Sequence, residues 1–179
     1  MATGQGLRTD LAARVRRPVA FTLNGRPVAP EVEDAELLCD CLRERLGRMG
    51  TRVGCREGVC GSCNVLVDGV VVRSCLLLAV QAEGCQVTTV EGLGHLGSSA
   101  GGALSPLQRA FVDHGAVQCG FCTAGLLISA TALLARNPDP SPEQVVQALS
   151  GNLCRCTGYA KVVAAVLAAA GEGREAGGP

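Results

Sequence analysis

The segment Gly54-Cys-Arg-Glu-Gly-Val-Cys-Gly-Ser-Cys63 decides the fold of this chain. Its three cysteines follow the spacing C-x4-C-x2-C, and Cys75 comes after eleven intervening residues. This is the plant-type [2Fe–2S] spacing, in which one loop supplies three ligands and a distant strand supplies the fourth. Gly58 and Gly61 can adopt backbone conformations closed to other residues, so the loop can wrap closely around a cluster. The spacing therefore predicts an iron–sulfur site on a small unit of strands and one helix.

A second group of cysteines predicts a second cluster. Cys119-x2-Cys122 is followed by Cys154-x-Cys156 after 31 intervening residues. Taken alone, two such pairs could also hold zinc, and a zinc site is the alternative for this group. A Rieske centre requires two histidine ligands, and neither of the two histidines in the chain is next to a cysteine. Two sets of four cysteine ligands fit two binuclear clusters, and such clusters pass single electrons.

The composition limits the classes of partner. Sixteen basic residues balance sixteen acidic ones among 179, so the chain is a poor candidate for binding nucleic acid or an anionic membrane. It has no run of eighteen apolar residues, which excludes a membrane-spanning helix of ordinary length. Eleven cysteines without a secretory signal indicate a reducing compartment, so we expect a cytoplasmic protein.

Turn and capping signals divide the chain into two domains. Asn24-Gly25 and Asp68-Gly69 predict hairpins in the first half, and residues 35–46 have helical spacing. Ser105-Pro106 and Ser141-Pro-Glu-Gln144 predict helix N-termini in the second half. The expected organisation is a flexible tail over 1–17, a plant-type ferredoxin-like domain over 18–91, a linker over 92–103, a helical cluster-binding domain over 104–170 and a flexible tail over 171–179.

The remaining motifs carry no chemistry of their own. Cys39, Cys41 and Cys85 have no ligand spacing, and we interpret them as small core residues, with a redox or extra metal role as the alternative. Gly92-Leu-Gly-His-Leu-Gly97 matches the dinucleotide pattern GxGxxG, but no βαβ unit surrounds it, so we reject that reading. No catalytic constellation is visible, and the chain is not expected to transform a substrate alone.

The order of these motifs closely resembles the iron–sulfur subunit of the molybdenum hydroxylases, the family of xanthine dehydrogenase and aerobic carbon monoxide dehydrogenase. The resemblance spans residues 19–168. It is carried by Gly54–Cys63, Arg73-Ser-Cys75, Val87-Thr-Thr-Val-Glu-Gly92, Gln118-Cys-Gly-Phe-Cys-Thr123 and Gly151-Asn-Leu-Cys-Arg-Cys-Thr-Gly-Tyr159.

The resemblance implies an α+β chain with an N-terminal β-grasp ferredoxin-like domain and an all-α four-helix-bundle domain. It places one [2Fe–2S] cluster on Cys55, Cys60, Cys63 and Cys75, and the other on Cys119, Cys122, Cys154 and Cys156. It also implies that Gln118 and Cys156 contact a molybdenum–pterin cofactor, in its cytosine dinucleotide form, bound by a large partner subunit.

In this family, electrons pass from the molybdenum–pterin centre through both clusters to FAD in a medium subunit. The resemblance therefore implies a heterotrimer, assembled as a dimer of heterotrimers.

Two other functions remain as alternatives. One is a free two-cluster ferredoxin, although a soluble shuttle usually has the asymmetric charge that this neutral chain lacks. The other is a zinc-stabilised interaction module without a redox role.

Overall fold

A computed structural model of the chain describes residues 15–95 and 104–175. The first of these two parts contains short strands, one short helix and the first group of cysteines. Its strands are β1 (Arg16–Pro18), β2 (Phe21–Leu23), β3 (Arg26–Val28), β4 (Glu31–Glu33), β5 (Asn64–Val67), β6 (Val70–Arg73) and β7 (Gln86–Thr88).

Five of the strands form a mixed sheet in the order β3-β2-β7-β5-β6. The central pair β2–β7 is parallel, and the other neighbours are antiparallel. Both hairpins turn at the residues that the sequence indicates. Asn24 and Gly25 have φ of 51° and 78°, and Asp68 and Gly69 have φ of 49° and 80°. Two consecutive positive φ angles are the type I′ geometry, which matches the twist of the flanking strands.

The helix of the first part is shorter than its sequence pattern predicts. The helix α1 covers Leu38–Asp40 and continues as a π-helical segment, Cys41–Arg45. At residue 35, where the helix was expected to begin, the chain forms a turn, and Leu37 is extended and bridges to Leu78. Leu38 and Leu42 are fully buried and pack against the sheet in one apolar core.

The second part is helical. Its helices are α2 (Pro106–Asp113), α3 (Thr123–Arg136), α4 (Pro142–Leu149) and α5 (Ala160–Glu175). Ser105 and Ser141 cap α2 and α4 as the sequence predicts, each in a capping box closed by a glutamine. Phe111, Leu126 and Ile128 are at most 1% exposed in the core that these helices share. The fold is therefore a mixed sheet with a short helix, followed by a helical domain.

The domain limits differ from the expected ones at three places. Arg16 and Arg17, expected in the first tail, belong to β1 and pair with β4. The expected linker begins inside a 3-10 helix, Val90–His95, and α5 continues to Glu175 beyond the expected end at residue 170. The rest of the expected tails and linker (1–14, 96–103 and 176–179) lies outside the described residues. Over the described ranges, no helix combines the length and hydropathy that spanning a bilayer requires.

Candidate iron–sulfur centres

Three ligands of the first predicted group, Cys55, Cys60 and Cys63, lie on the loop between the π-helical segment and β5. Backbone N–H groups of Cys60 and Glu57 both donate to Cys55 Sγ, at 3.4 Å each. These hydrogen bonds, with that of Cys60 the larger, lower the pKa of the Cys55 thiol to about 6. Gly58 has a φ of 73°, a backbone conformation that would be strained in a residue with a side chain. The loop therefore turns its N–H groups toward sulfur, which stabilises a thiolate.

The other two cysteines of this group form a buried pair. Cys63 is the last residue before β5, and Cys75 lies just beyond the end of β6, the strand that pairs with β5. Both are 2% exposed, and their thiols lie within hydrogen-bonding reach of each other. Burial raises the pKa of the Cys63 thiol to about 11. The hairpin thus delivers the distant fourth cysteine to the loop, as the spacing predicts.

The second group also comes together as two pairs. Cys119 and Cys156 are exposed, and their sulfur atoms are 3.6 Å apart. Cys122 is the N-cap residue of α3, and its thiol contacts that of Cys154. Burial raises the pKa of the Cys122 thiol to about 12. The structure therefore joins residues from the loop before α3 with residues from the loop between α4 and α5.

Cys154 lies in a hydrogen-bonded pocket formed by its own loop. Thr157 donates to Cys154 Sγ from Oγ1 at 3.1 Å and from the backbone N–H at 3.4 Å. Burial, the largest single influence, would raise the pKa of the Cys154 thiol, but hydrogen bonds from Thr157, with those of Cys156 and Cys122, together lower the pKa to about 7. The Cys154 backbone N–H donates to Tyr159 Oη at 2.7 Å, and that hydroxyl donates to the Asn152 carbonyl at 2.8 Å.

The paired arrangement suits a binuclear cluster. All eleven cysteines are free thiols, so none of the eight predicted ligands is used in a disulfide. In a [2Fe–2S] cluster each iron takes two cysteine thiolates, which is one pair per iron. Within the described residues, no three His, Cys, Asp or Glu side chains converge closely enough for a single metal ion. The thiol pairs and the N–H groups directed at Cys55 and Cys154 therefore fit two [2Fe–2S] clusters.

The two cysteine loops touch each other. The Leu153 N–H, one residue before Cys154, donates to the Cys60 carbonyl at 2.9 Å. Phe121, which lies between Cys119 and Cys122, is against Gly54: a Cβ atom on Gly54 would be 3.2 Å from the Phe121 ring. The spacing of the cysteines within each group does not reveal this contact between groups, so sequence reasoning missed it.

Three other cysteines were expected in the core. Cys39 and Cys41 are completely buried, in agreement with that expectation, whereas Cys85 is only half-buried. Cys41 belongs to the core under the sheet, but Cys39 packs directly against Cys63 and Cys75. Burial raises the pKa of the Cys39 thiol to about 12. Cys39 is thus a protonated neighbour of the first site, a position that ligand spacing could not have indicated.

Comparison with known proteins agrees with this geometry. The family described as a 2Fe-2S iron-sulfur cluster binding domain matches residues 21–90, and the family described as a [2Fe-2S] binding domain matches residues 89–167. The chain is 54% identical over 157 residues to the nicotine 6-hydroxylase small subunit of Paenarthrobacter nicotinovorans, covering 88% of this chain and 92% of that relative. The chain belongs to the iron–sulfur subunits of the molybdenum hydroxylases.

Other members support the same assignment. The nicotinate dehydrogenase small FeS subunit of Eubacterium barkeri is 45% identical over 148 residues, covering 83% of this chain and 91% of the relative. The structure of quinoline 2-oxidoreductase from Pseudomonas putida 86 superposes with a TM-score of 0.83 at 50% identity, over 89% of this chain and 97% of that chain. This iron–sulfur subunit is therefore an electron-transfer component of an oxidoreductase, and the free ferredoxin is not favoured.

Proposed function

We propose that this subunit carries single electrons from a molybdenum–pterin centre in a large subunit to FAD in a medium subunit. The first [2Fe–2S] cluster is held by Cys55, Cys60, Cys63 and Cys75, and the second by Cys119, Cys122, Cys154 and Cys156. The observation that carries the proposal is that distant cysteines of each set meet in the fold. Cys63 packs with Cys75, and the sulfur atoms of Cys119 and Cys156 are 3.6 Å apart.

The chain's own residues prepare the thiolates for these clusters. A [2Fe–2S] cluster, when bound, accepts and releases one electron at a time. Hydrogen bonds to ligand sulfur stabilise negative charge, and they help to set the reduction potential of a cluster. The backbone N–H groups at Cys55 and the Thr157 contacts at Cys154 supply such hydrogen bonds. Burial of Cys63, Cys75 and Cys122 limits the access of water to the inner side of both sites.

The second site faces outward, as contact with a partner's cofactor requires. Gln118, Cys119 and Cys156 are all exposed, and exposed Phe121 and Leu153 lie beside them. Exposed apolar groups next to a redox site are typical of a protein interface. We therefore assign Gln118 and Cys156 to contact with the pterin, in its cytosine dinucleotide form. The assembly in this proposal is a dimer of heterotrimers in the cytoplasm.

The proposed fold detail is a β-grasp domain followed by a four-helix bundle. The parallel central pair β2–β7, flanked by antiparallel strands and covered by α1, supports the first part. The packing of α2 on α5, α3 on α4 and α4 on α5 supports the second.

The substrate class that we propose for the complete enzyme is a nitrogen-containing aromatic ring. Nicotine 6-hydroxylase and quinoline 2-oxidoreductase, at 54% and 50% identity, both take their names from such compounds. The aldehyde oxidoreductase of Megalodesulfovibrio gigas is 46% identical over 153 residues, which span only 16% of that relative. Turnover of pyridine or quinoline substrates by the purified complex supports the proposal, and turnover of aldehydes alone contradicts it.

Metal analysis of the purified chain, followed by EPR after dithionite reduction, tests the cluster assignment. We expect about four irons per chain and two distinct rhombic signals, as two [2Fe–2S] clusters require. The variant Cys60→Ser is expected to lose one signal and about half of the iron, because one of the four thiolates of the first cluster is removed. Stoichiometric zinc, with no signal after reconstitution with iron and sulfide, would overturn the assignment.

The pterin contact is tested by the variant Gln118→Ala in the assembled complex. We expect a changed molybdenum spectrum or slower electron exit from molybdenum, while the EPR signal of the first cluster stays unchanged. The control is Gln147→Ala, an exposed glutamine on α4 that belongs to neither cysteine motif. An unchanged molybdenum spectrum together with an unchanged rate in Gln118→Ala would contradict the assignment.

A further inference from the structure

Arg73 connects the two cysteine loops through its guanidinium group. It is the last residue of β6, two positions before Cys75. Its Nε donates to the Gly58 carbonyl at 3.1 Å, and its Nη2 donates to the Gly151 carbonyl at 2.7 Å. Its Nη1 donates to the side-chain oxygen of Asn64 on β5. One side chain therefore contacts the loop of the first site, the sheet, and the segment that leads into Cys154.

A buried polar chain runs beside this arginine. Asn64 Nδ2 donates to Ser129 Oγ at 2.9 Å, and Ser129 Oγ donates to Asn152 Oδ1 at 2.8 Å. Asn152 Nδ2 then donates to the Gly61 carbonyl at 3.1 Å. The three side chains Asn64, Ser129 and Asn152 are 2%, 6% and 2% exposed. A buried network in which each member has a partner holds its surroundings in one arrangement.

The same contact region leaves little space between the two loops. A Cβ atom on Gly61 would be 2.5 Å from the Gly151 carbonyl oxygen, and one on Gly151 would be 2.6 Å from Arg73 Nη2. The Leu153 N–H donates to the Cys60 carbonyl at 2.9 Å. A single hydrogen bond thus joins the backbone of Cys60 to that of Leu153, the neighbour of Cys154.

We infer that Arg73 is a positioning residue for electron transfer between the two clusters, because it fixes the separation and orientation of the two cysteine loops. The inference rests on the proposed cluster assignment. Arginine suits this task because its planar guanidinium presents several donors in a fixed geometry. A lysine ammonium is a single point charge on a flexible stem, so it cannot serve three acceptors in the same way. Without the guanidinium, the loops would be joined only by bonds such as Leu153 to Cys60 and Asn152 to Gly61, so their separation and orientation would vary while each loop kept its cysteines.

The test compares the magnetic coupling of the two reduced clusters in Arg73→Met, Arg73→Lys and the unmodified chain, each in its complex. With both clusters reduced, each paramagnetic centre splits the EPR signal of the other, and dipolar splitting decreases with the cube of the separation. We expect Arg73→Met to lose the resolved splitting while its iron content stays unchanged. Arg73→Lys is expected to lie between Arg73→Met and the unmodified chain.

Arg43→Met is the matched control. The Arg43 guanidinium donates to the backbone carbonyls of Met49 and Thr51, at 3.2 and 2.9 Å, within the first domain. It is expected to keep the splitting. Should Arg73→Met fail to fold, Arg73→Lys takes its place, because it also removes the fixed guanidinium geometry and is expected to weaken the splitting.

The outcomes distinguish the positioning role of Arg73 from the cluster assignment on which it rests. Full splitting in Arg73→Met, or in Arg73→Lys if the first variant does not fold, would overturn the positioning role while leaving the cluster assignment intact. Equal loss of splitting in Arg43→Met would also overturn it, since a general loosening of the fold would then explain the result. Absence of both cluster signals in the unmodified chain would overturn the proposed function and this inference together.

Discussion

The substitution Gly125→Ala tests the contact between the two domains most directly. Gly125 lies in the first turn of α3, and a Cβ atom there would be 2.1 Å from the Gly61 carbonyl oxygen and 3.0 Å from Asn152 Nδ2. The clashing oxygen belongs to the backbone of the loop that carries Cys60 and Cys63. An added methyl group must therefore push the cysteine loop and the helix apart.

Two opposing effects set the magnitude. Overpacking a well-filled interior costs about 1–3 kcal/mol, and a backbone clash at this distance places the cost at the upper end of that range. Alanine favours a helix over glycine by at most about 1 kcal/mol. The expected net destabilisation is about 2 kcal/mol, which lowers Tm by about 4–8 °C in a chain of this size.

The assay is thermal loss of the visible cluster absorption at one fixed scan rate, because unfolding that releases a cofactor is irreversible. The matched control is Gly171→Ala on α5, where a Cβ atom would have nothing within 4 Å. The control is expected to raise Tm slightly, since only the helix preference acts. A Gly125→Ala variant as stable as the unmodified chain would refute the reasoning, as would an equal loss in both variants.

Two further predictions concern the cysteine sites. In the iron-free protein, alkylation of Cys55 should reach half its maximal rate near pH 6, because its pKa is about 6, whereas Cys63, with a pKa of about 11, should stay unreactive at pH 7. Mass spectrometry of iodoacetamide-treated samples across pH measures this, and equal labelling at pH 7 contradicts it. Tyr159→Phe leaves the Cys154 N–H and the Asn152 carbonyl without their partner, which costs about 1–3 kcal/mol. An unchanged thermal transition in this variant would show that the two groups find other partners.

Local sequence signals predicted the turns and the helix caps well. Asn-Gly and Asp-Gly tolerate the positive φ that a type I′ turn requires, and both hairpins turn at those residues. Ser105 and Ser141 bond their own neighbours, so a capping box is visible from four adjacent residues. The late start of α1 could not be predicted in this way, because the bridge from Leu37 to Leu78 joins residues distant in sequence.

At the cysteine sites, too, local patterns could be predicted from the sequence and contacts between distant residues could not. Ligand spacing predicted two sets of four cysteines, since each set is a local pattern with one long gap. It did not show which thiols pair within a set, nor that Cys39 lies against Cys63 and Cys75. The contact of Arg73 with Gly151 joins residues 78 positions apart. Such contacts follow from the packing of two domains, which no local pattern encodes.

The close approach at Gly61 and Gly125 also restricts how this chain can evolve. When a new side chain clashes with another side chain, a second substitution can often make room for it. Here the nearest atom to a new methyl group is a backbone carbonyl oxygen in each case, that of Gly151 for Gly61 and that of Gly61 for Gly125. Shrinking a neighbouring side chain cannot remove a carbonyl oxygen. A substitution at either glycine therefore has no simple suppressor, and the two domains must diverge together at this boundary.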